Sequence, residues 1–169
     1  FQAHPDEIAA VIMEPVPGNM GVMEPKAGYL EGLLAMCHQH GALLIFDEVM
    51  SGFRVHPGGA QALYGVTPDL TCLGKVIGGG LPVGAYGGRP DVMRNVAPEG
   101  AVYQAGTLSG NPLSVAAVLA TLTALNEPGV FERAVSAATQ ICDGLSELAQ
   151  QKGVPLCVQR VGTMFTAFF

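Results

Sequence analysis

The stretch Ala42-Leu43-Leu44-Ile45-Phe46-Asp47-Glu48 decides the fold, because a row of apolar residues ends abruptly at two carboxylates. A short, continuous apolar run predicts a strand buried on both faces of a parallel sheet. A second run of this kind, Asp69 to Leu73, ends at Gly74-Lys75. Because chemistry in open α/β sheets lies at the carboxyl ends of strands, Asp47 and Lys75 are the first candidates for a functional site.

The chain on both sides of these strands alternates between strand and helix patterns. Ile8 to Met13 is an apolar run closed by Glu14-Pro15, which predicts another buried strand. Between Ala27 and His40 the apolar residues recur at helical spacing. A short helix is predicted near Ala60 to Tyr64, and a strand is predicted from Val83 to Gly87. This alternation predicts an α/β fold with a mostly parallel sheet.

The C-terminal part of the sequence predicts two helices followed by two strands. Their ranges are Pro112 to Leu125, Val130 to Gln150, Val154 to Val161 and Thr163 to Phe169. Pro128-Gly129 separates the helices, so we expect residues 1–127 to belong to a large domain and 128–169 to begin a smaller one. The start at Phe1 and the apolar C-terminus suggest cuts through a longer protein.

Composition excludes several classes of function. Apolar residues make up 49% of the 169-residue chain and charged residues only 13%, which is typical of a packed globular protein. The net charge is -6 and no run of Lys or Arg occurs, so neither nucleic acid nor a membrane surface is an expected partner. The four cysteines have no metal or disulfide spacing. We therefore expect reduced thiols, no metal site and a cytoplasmic location.

Lys75 and Asp47 suggest a site for a carbonyl cofactor. A buried amine has a lowered pKa and becomes a nucleophile toward aldehydes, although Lys75 could equally be a surface lysine in a glycine-rich loop. Asp47, at the end of an apolar strand, needs a cationic partner, and a protonated pyridine nitrogen is one. Val49, two residues on, could pack on the same ring. The alternatives for Asp47-Glu48 are a helix cap or a metal pair.

Two further segments leave alternatives open. The backbone amides and hydroxyls of the stretch from Gly106 to Pro112 open a helix and could hold a phosphate. The same stretch could be an ordinary capping loop with Asn111 as the N-cap. We interpret the stretch Cys37-His38-Gln39-His40, at a helix end, as a solvated face of the helix.

Three stretches of the chain together resemble a known family. They are Phe46-Asp47-Glu48-Val49-Met50-Ser51-Gly52-Phe53-Arg54, Pro68-Asp69-Leu70-Thr71-Cys72-Leu73-Gly74-Lys75 and Tyr103-Gln104-Ala105-Gly106-Thr107-Leu108-Ser109-Gly110-Asn111-Pro112. The first two are similar to the signature of the class III aminotransferases. The third, with Gly58-Gly59-Ala60-Gln61 and the segment from Ile77 to Gly88, resembles the branch that acts on glutamate-1-semialdehyde.

The resemblance implies the fold of a fold-type I transferase that depends on pyridoxal 5′-phosphate (PLP). It implies that Lys75 forms the Schiff base with PLP, that Asp47 pairs with the pyridine nitrogen and that Val49 lies under the ring. It places Asn19 near the phenolic oxygen of the cofactor. It also implies a homodimer with shared sites, in which Gly106 and Thr107 reach the cofactor phosphate of the neighbouring subunit.

The implied reaction is an intramolecular amino transfer that converts glutamate-1-semialdehyde to 5-aminolevulinate for tetrapyrrole synthesis, with the pyridoxamine form (PMP) in the cycle. The chain departs from the family pattern at Ser51, where Thr is usual, and in Leu113-Ser114-Val115-Ala116-Ala117. The family's upstream phosphate loop, its ring-stacking aromatic residue and most of the C-terminal domain are not in this chain. We therefore expect a middle segment that is inactive alone. The alternatives are an ω-aminotransferase of the same class and a non-catalytic remnant.

Overall fold

The computed structural model describes residues 1–169. Its strands and helices are, in chain order, β1 (Ala10–Met13), α1 (Tyr29–Gln39), β2 (Leu43–Asp47), α2 (Gly59–Tyr64), β3 (Leu70–Gly74), a 3-10 helix (Lys75–Gly78), β4 (Gly84–Gly88), α3 (Pro90–Met93), α4 (Pro112–Leu125), α5 (Val130–Lys152), β5 (Cys157–Val161) and β6 (Met164–Phe168).

The first four strands form one sheet in the order β1-β2-β3-β4. The strands β1, β2 and β3 run parallel, and β4 pairs antiparallel with β3. The apolar run of β2 is the centre of this sheet, where Leu44 and Phe46 are completely buried. The prediction of an α/β fold with a mostly parallel sheet is confirmed. Strands β5 and β6 form a separate antiparallel hairpin.

Two apolar clusters make up the core. The first lies under α1 and β2, and its buried members are Leu30, Cys37, Ala42, Leu44, Phe46 and Val66. The second joins the loops after β1 and β2 to the hairpin, and its buried members are Val16, Val22, Val55, Ala60, Val161 and Met164. The hairpin after the predicted domain boundary at residue 128 therefore packs on loops that precede that boundary.

The predicted helices and strands match the observed ones closely. Helix α4 has the predicted bounds, and α5 continues two residues further, to Lys152. Strand β5 begins at Cys157 rather than Val154, since Pro155 has no N–H to donate to a ladder. The 3-10 helix and α3 were not predicted, because four-residue helices are too short to show a period.

Helix α4 has an apolar surface that nothing in the chain covers. None of its residues is buried, and Leu113 and Leu119 are 69% and 68% exposed. No single helix is long and apolar enough to cross a membrane, and α4 and α5 reach that length and composition only as a pair bent by 78°.

Candidate functional site

The carboxyl ends of the three parallel strands meet at one edge of the sheet. The register pairs Met13 with Phe46 and Asp47 with Cys72, so the strands end side by side. The loops that leave them carry the residues predicted for the site. Asn19 follows β1, Asp47 and Val49 lie at the end of β2, and Lys75 follows β3 directly.

Asp47 ends β2 with its carboxylate half-buried. Its Oδ1 accepts a hydrogen bond of 3.0 Å from the backbone N–H of Val49, which is the short turn that Asp favours. Burial, and then the charge of Asp47, raise the pKa of the Cys72 thiol on the neighbouring strand. Asp47 has no other hydrogen-bond donor in the chain, so its carboxylate keeps acceptor capacity for a ligand.

Val49 connects the end of β2 to the residue before Lys75. A Cβ placed on Gly74 would lie 3.3 Å from Val49 Cγ1 and 3.4 Å from the carbonyl oxygen of Val83. Such contacts are tighter than nearly all real Cβ contacts, so glycine at position 74 lets the Val49 side chain lie against the β3 backbone. Asp47, Val49 and Lys75 are thereby brought to one part of the edge.

Lys75 begins the 3-10 helix with an uncommon backbone conformation. Its φ of 47° lies in the left-handed region that favours glycine. Strained residues of this kind concentrate at functional sites, where the surrounding structure maintains them. The Lys75 side chain is exposed in this chain, which agrees with the alternative of a surface lysine in a glycine-rich loop.

Glu48 has a different role from its neighbour Asp47. Its side chain is 1% exposed and accepts hydrogen bonds from Ser51 Oγ at 3.0 Å and from the backbone N–H of Ala60 at 2.6 Å. A further bond of 3.2 Å comes from the N–H of Gln61. Glu48 therefore caps α2, which was one of the alternatives for this pair of carboxylates. The chain has no group of three or more His, Cys, Asp or Glu that could hold a metal ion.

Asn19 lies on a tight turn after β1 and is exposed. The turn is closed by a hydrogen bond of 3.0 Å from Gly21 N–H to the Gly18 carbonyl, and Gly18 N–H donates to Glu14 Oε2 at 3.2 Å. A Cβ on Gly18 would lie 2.9 Å from the methyl group of Met50. The loops after β1 and β2 are therefore in contact.

Gly106 and Thr107 lie on an exposed loop before α4 and make no hydrogen bond to Asp47 or Lys75. Asn111 Oδ1 accepts from the N–H groups of Leu113 at 3.1 Å and Ser114 at 3.2 Å, which confirms Asn111 as the N-cap. A cavity of about 260 Å³ adjoins the loop and includes Gly106 and Gly84 among its lining residues. A phosphate at this loop would have to use the amides before Asn111.

A polar cluster at the amino end of β3 was missed by the sequence reasoning. The Asp69 carboxylate is 2% exposed and accepts from Leu44 N–H at 2.7 Å, Arg89 Nη1 at 2.7 Å and His38 Nε2 at 3.1 Å. Burial opposes its ionisation, but these hydrogen bonds outweigh burial and lower its pKa. The interpretation of residues 37–40 as a solvated face is confirmed for His38, Gln39 and His40, which are exposed, and is wrong for Cys37, which is buried.

Known proteins resemble this chain along its whole length. A family profile described as Aminotransferase class-III matches residues 1–169. The chain is similar to glutamate-1-semialdehyde 2,1-aminomutase from Thermomicrobium roseum, at 62% identity over 169 residues, which are all of this chain and 39% of that relative. The enzyme of the same name from Pelotomaculum thermopropionicum is 60% identical with the same coverage. The chain thus spans about 39% of the length of these curated relatives.

Solved structures show the same fold. An ω-transaminase from Sphaerobacter thermophilus superposes with a TM-score of 0.91 at 38% identity, over 98% of this chain and 38% of that one. A glutamate-1-semialdehyde aminomutase from Pseudomonas aeruginosa PAO1 superposes with a TM-score of 0.84 at 30% identity, over 99% of this chain and 39% of that one. A second crystal structure of the Pseudomonas enzyme is a complex with PMP. These likenesses confirm the predicted fold-type I class.

Proposed function

We propose, since the chain belongs to the class III aminotransferase family, that its strand ends form the cofactor half of a PLP-dependent active site. We further propose that the complete protein converts glutamate-1-semialdehyde to 5-aminolevulinate. The observation that carries the proposal is the placement of Asp47, Val49 and Lys75 at one edge of the sheet. The chain is also 62% identical, over all of its 169 residues, to a relative named glutamate-1-semialdehyde 2,1-aminomutase.

The residues at this edge fit the chemical groups of PLP. Asp47 offers a carboxylate with free acceptor capacity, as a pyridinium nitrogen requires. Val49, whose side chain packs against Gly74, offers an apolar surface on which a ring can lie. Lys75 offers an exposed primary amine that can reach an aldehyde. The three residues thus provide a partner for the pyridinium cation, an apolar surface for the ring and a nucleophile for the aldehyde.

Each residue then has a defined task. The bound cofactor supplies an electron sink and, in its PMP form, an amino group. Asp47 holds the pyridine nitrogen protonated, and Val49 supports the ring face. Lys75 Nζ anchors the cofactor and moves a proton to and from the substrate carbon as general acid and base. Asn19, near the phenolic oxygen of the cofactor, would donate its amide N–H to that oxygen.

The phosphate site is the part that we assign to a homodimer. Gly106 and Thr107 are exposed and make no hydrogen bond to Asp47 or Lys75, as expected of residues that serve a neighbouring subunit. The exposed Leu113 and Leu119 lie on α4, the helix that follows this loop, and give an apolar surface for a partner to cover. We therefore propose that Gly106 and Thr107 reach the cofactor phosphate of the neighbouring subunit.

We also propose the wider setting of the complete protein. Residues 1–127 would belong to its large domain, and residues 128–169 would begin the small domain. The four free cysteines support a reducing compartment, which we take to be the cytoplasm. The product would feed tetrapyrrole synthesis. The 169 residues alone should lack the turnover of the complete protein, since the relatives are more than twice as long.

An ω-aminotransferase of the same family is the second candidate. It is favoured by the TM-score of 0.91 to the Sphaerobacter ω-transaminase, above the 0.84 of the Pseudomonas aminomutase. The higher sequence identity to the curated aminomutases supports the first candidate. The two differ in whether the amino group stays within one molecule.

The cofactor site can be tested on the chain itself by trapping. PLP is added, the mixture is reduced with borohydride, and peptide mass spectrometry locates the adduct. Lys26 and Lys152 are the other two lysines, and both are exposed, so Lys26→Ala and Lys152→Ala are matched controls for Lys75→Ala. We expect the adduct on Lys75 and its loss in Lys75→Ala alone. An adduct spread equally over the three lysines would contradict the site.

The reaction is tested on the complete polypeptide that contains these residues. It is given glutamate-1-semialdehyde without any amino acceptor, and 5-aminolevulinate is measured. Formation of the product at a rate that is unchanged by added amino acceptors supports the intramolecular reaction. Turnover that requires a second substrate would establish the ω-aminotransferase instead.

A further inference from the structure

The β5–β6 hairpin presses on the turn that carries Asn19. The ring of Phe168 lies on Gly21, where a Cβ would collide with the ring and lie 2.8 Å from its Cε2 atom. On the other side of Asn19, the methyl group of Met164 would lie 3.2 Å from a Cβ on Gly18. Asn19 therefore stands between two glycines that both contact the hairpin.

The same hairpin is fixed to the loop after β2. Thr163 donates two hydrogen bonds to the carbonyl oxygen of Arg54, from its backbone N–H at 2.9 Å and from its hydroxyl at 3.0 Å. A Cβ on Gly162 would lie 2.5 Å from that oxygen. The loop held in this way begins with Asp47 and Val49, so the hairpin is joined to both loops of the proposed site.

The turn between Gly18 and Val22 includes a backbone conformation that is unfavourable for one of its residues. Gly21 has a φ of 105°, which glycine tolerates. Val22 has a φ of 59°, which is a real outlier for a β-branched residue. Such a conformation persists only when its surroundings fix it. Val22 is 4% exposed and packs in one cluster with Val161 and Met164 of the hairpin.

We propose that the β5–β6 hairpin is a positioning element, which holds the strained 18–22 turn so that Asn19 presents its amide to the cofactor. Phe168 and Met164 are positioning residues that act through Gly21 and Gly18, and they do not touch the cofactor themselves. The role of Asn19 rests on the proposed function, whereas the fixing of the turn by the hairpin does not.

The first arm of the test is hydrogen exchange on the chain without cofactor. The N–H groups of Gly21 and Val22 are bonded to the Gly18 carbonyl at 3.0 and 3.4 Å, so their exchange reports the turn. Phe168→Ala and Gly21→Ala should each speed their exchange roughly tenfold, with strand β2 unchanged. Phe168→Leu keeps an apolar contact and should restore slow exchange. Phe169→Ala is the control, because Phe169 is 87% exposed.

The second arm measures the absorbance of bound PLP against pH in the complete protein. An amide that donates to the phenolic oxygen stabilises its ionised form, so moving the amide away should raise the pH midpoint. We expect a rise of about half a unit to one unit in Phe168→Ala and in Asn19→Ala, the size of one hydrogen bond. Phe168→Leu should return the midpoint toward that of the wild type.

The outcomes separate this inference from the proposed function. Local exchange that is no faster in Phe168→Ala than in Phe169→Ala overturns the inference. Faster exchange with an unchanged midpoint in Phe168→Ala, when Asn19→Ala shifts it, makes the hairpin merely structural and also overturns it. If no adduct forms on Lys75 in the wild type, the proposed function fails. The exchange arm alone then decides whether the hairpin fixes the turn.

Discussion

Asp69 and Asp47 lie at opposite ends of two neighbouring strands, and their carboxylates differ in burial and in the number of hydrogen bonds that they accept. Asp69, just before β3, is 2% exposed and accepts from a backbone N–H, an arginine and a histidine. Asp47, at the end of β2, is half-buried and accepts only from Val49 N–H. An aspartate therefore has most of its hydrogen-bond acceptor capacity used at one end of the sheet, and most of it unused at the other.

The difference separates a carboxylate that is used within the fold from one whose proposed role is to bind a ligand. Asp69 joins α1, β2 and the end of β4 through His38, Leu44 and Arg89, so its hydrogen bonds are used within the fold. Asp47 has no such cross-links, and a carboxylate near an apolar strand end without a cation is costly unless a partner arrives. The comparison predicts that substitution of Asp69 lowers the stability of the fold, whereas substitution of Asp47 weakens cofactor binding.

The largest expected effect on stability is that of Asp69→Ala. It leaves the buried Leu44 N–H without an acceptor and removes the acceptor of the Arg89 guanidinium and of His38, so the free energy of unfolding should fall by about 3 kcal/mol. Arg89 is 46% exposed and stays hydrated, which keeps the loss at the lower end of such cases. Asp47→Ala should change the same quantity by less than about 1 kcal/mol. Urea denaturation of both variants measures the contrast, and equal losses would contradict it.

Acid should remove part of the same stabilisation. The pKa of Asp69 is lowered in the folded chain, so its contribution is complete above the ordinary Asp pKa of about 4 and is lost as the pH falls through the folded value. The difference in unfolding free energy between wild type and Asp69→Asn should be constant from neutral pH down to about 4 and shrink below it. A difference that grows on acidification would show that the pKa of Asp69 is not lowered by folding.

Asp47 should show its effect on the cofactor. Loss of one charged hydrogen bond costs about 1.5 to 3 kcal/mol, so Asp47→Ala should weaken PLP binding roughly 10- to 150-fold. The affinity is measured in the complete protein from the absorbance of bound PLP. Asp143→Ala, on the exposed face of α5, is the matched control and should bind normally. Normal PLP affinity in Asp47→Ala would remove Asp47 from the site.

The contrast also shows which features the sequence could predict. The apolar runs before Asp47 and Gly74 predict strands, because hydrophobic patterning is a local property; their burial was less well predicted, since β3 is half-buried over Leu70 to Leu73. The cluster around Asp69 brings together residues 31 and 20 positions apart, and no local pattern indicates such pairing. The same holds for the hydrogen bond between Thr163 and Arg54, which spans 109 positions. Lys75 is predicted as a site residue from its place at the end of a strand, whereas its exposure depends on residues distant in the sequence.

The smallest expected effect concerns the backbone at Lys75. Its φ of 47° is strained for any residue with a Cβ, so Lys75→Gly should be more stable than Lys75→Ala by about 1 kcal/mol. Lys26 has no positive φ, and there glycine should be no more stable than alanine. The four unfolding free energies, measured in urea, give the two differences. Neither Lys75 variant should form the borohydride-trapped adduct. A gain in stability in Lys75→Gly would show that the fold carries strain at the residue proposed to bind the cofactor. Equal stability of the two Lys75 variants would mean that the left-handed turn costs nothing, and strain would then be no part of how this lysine is placed.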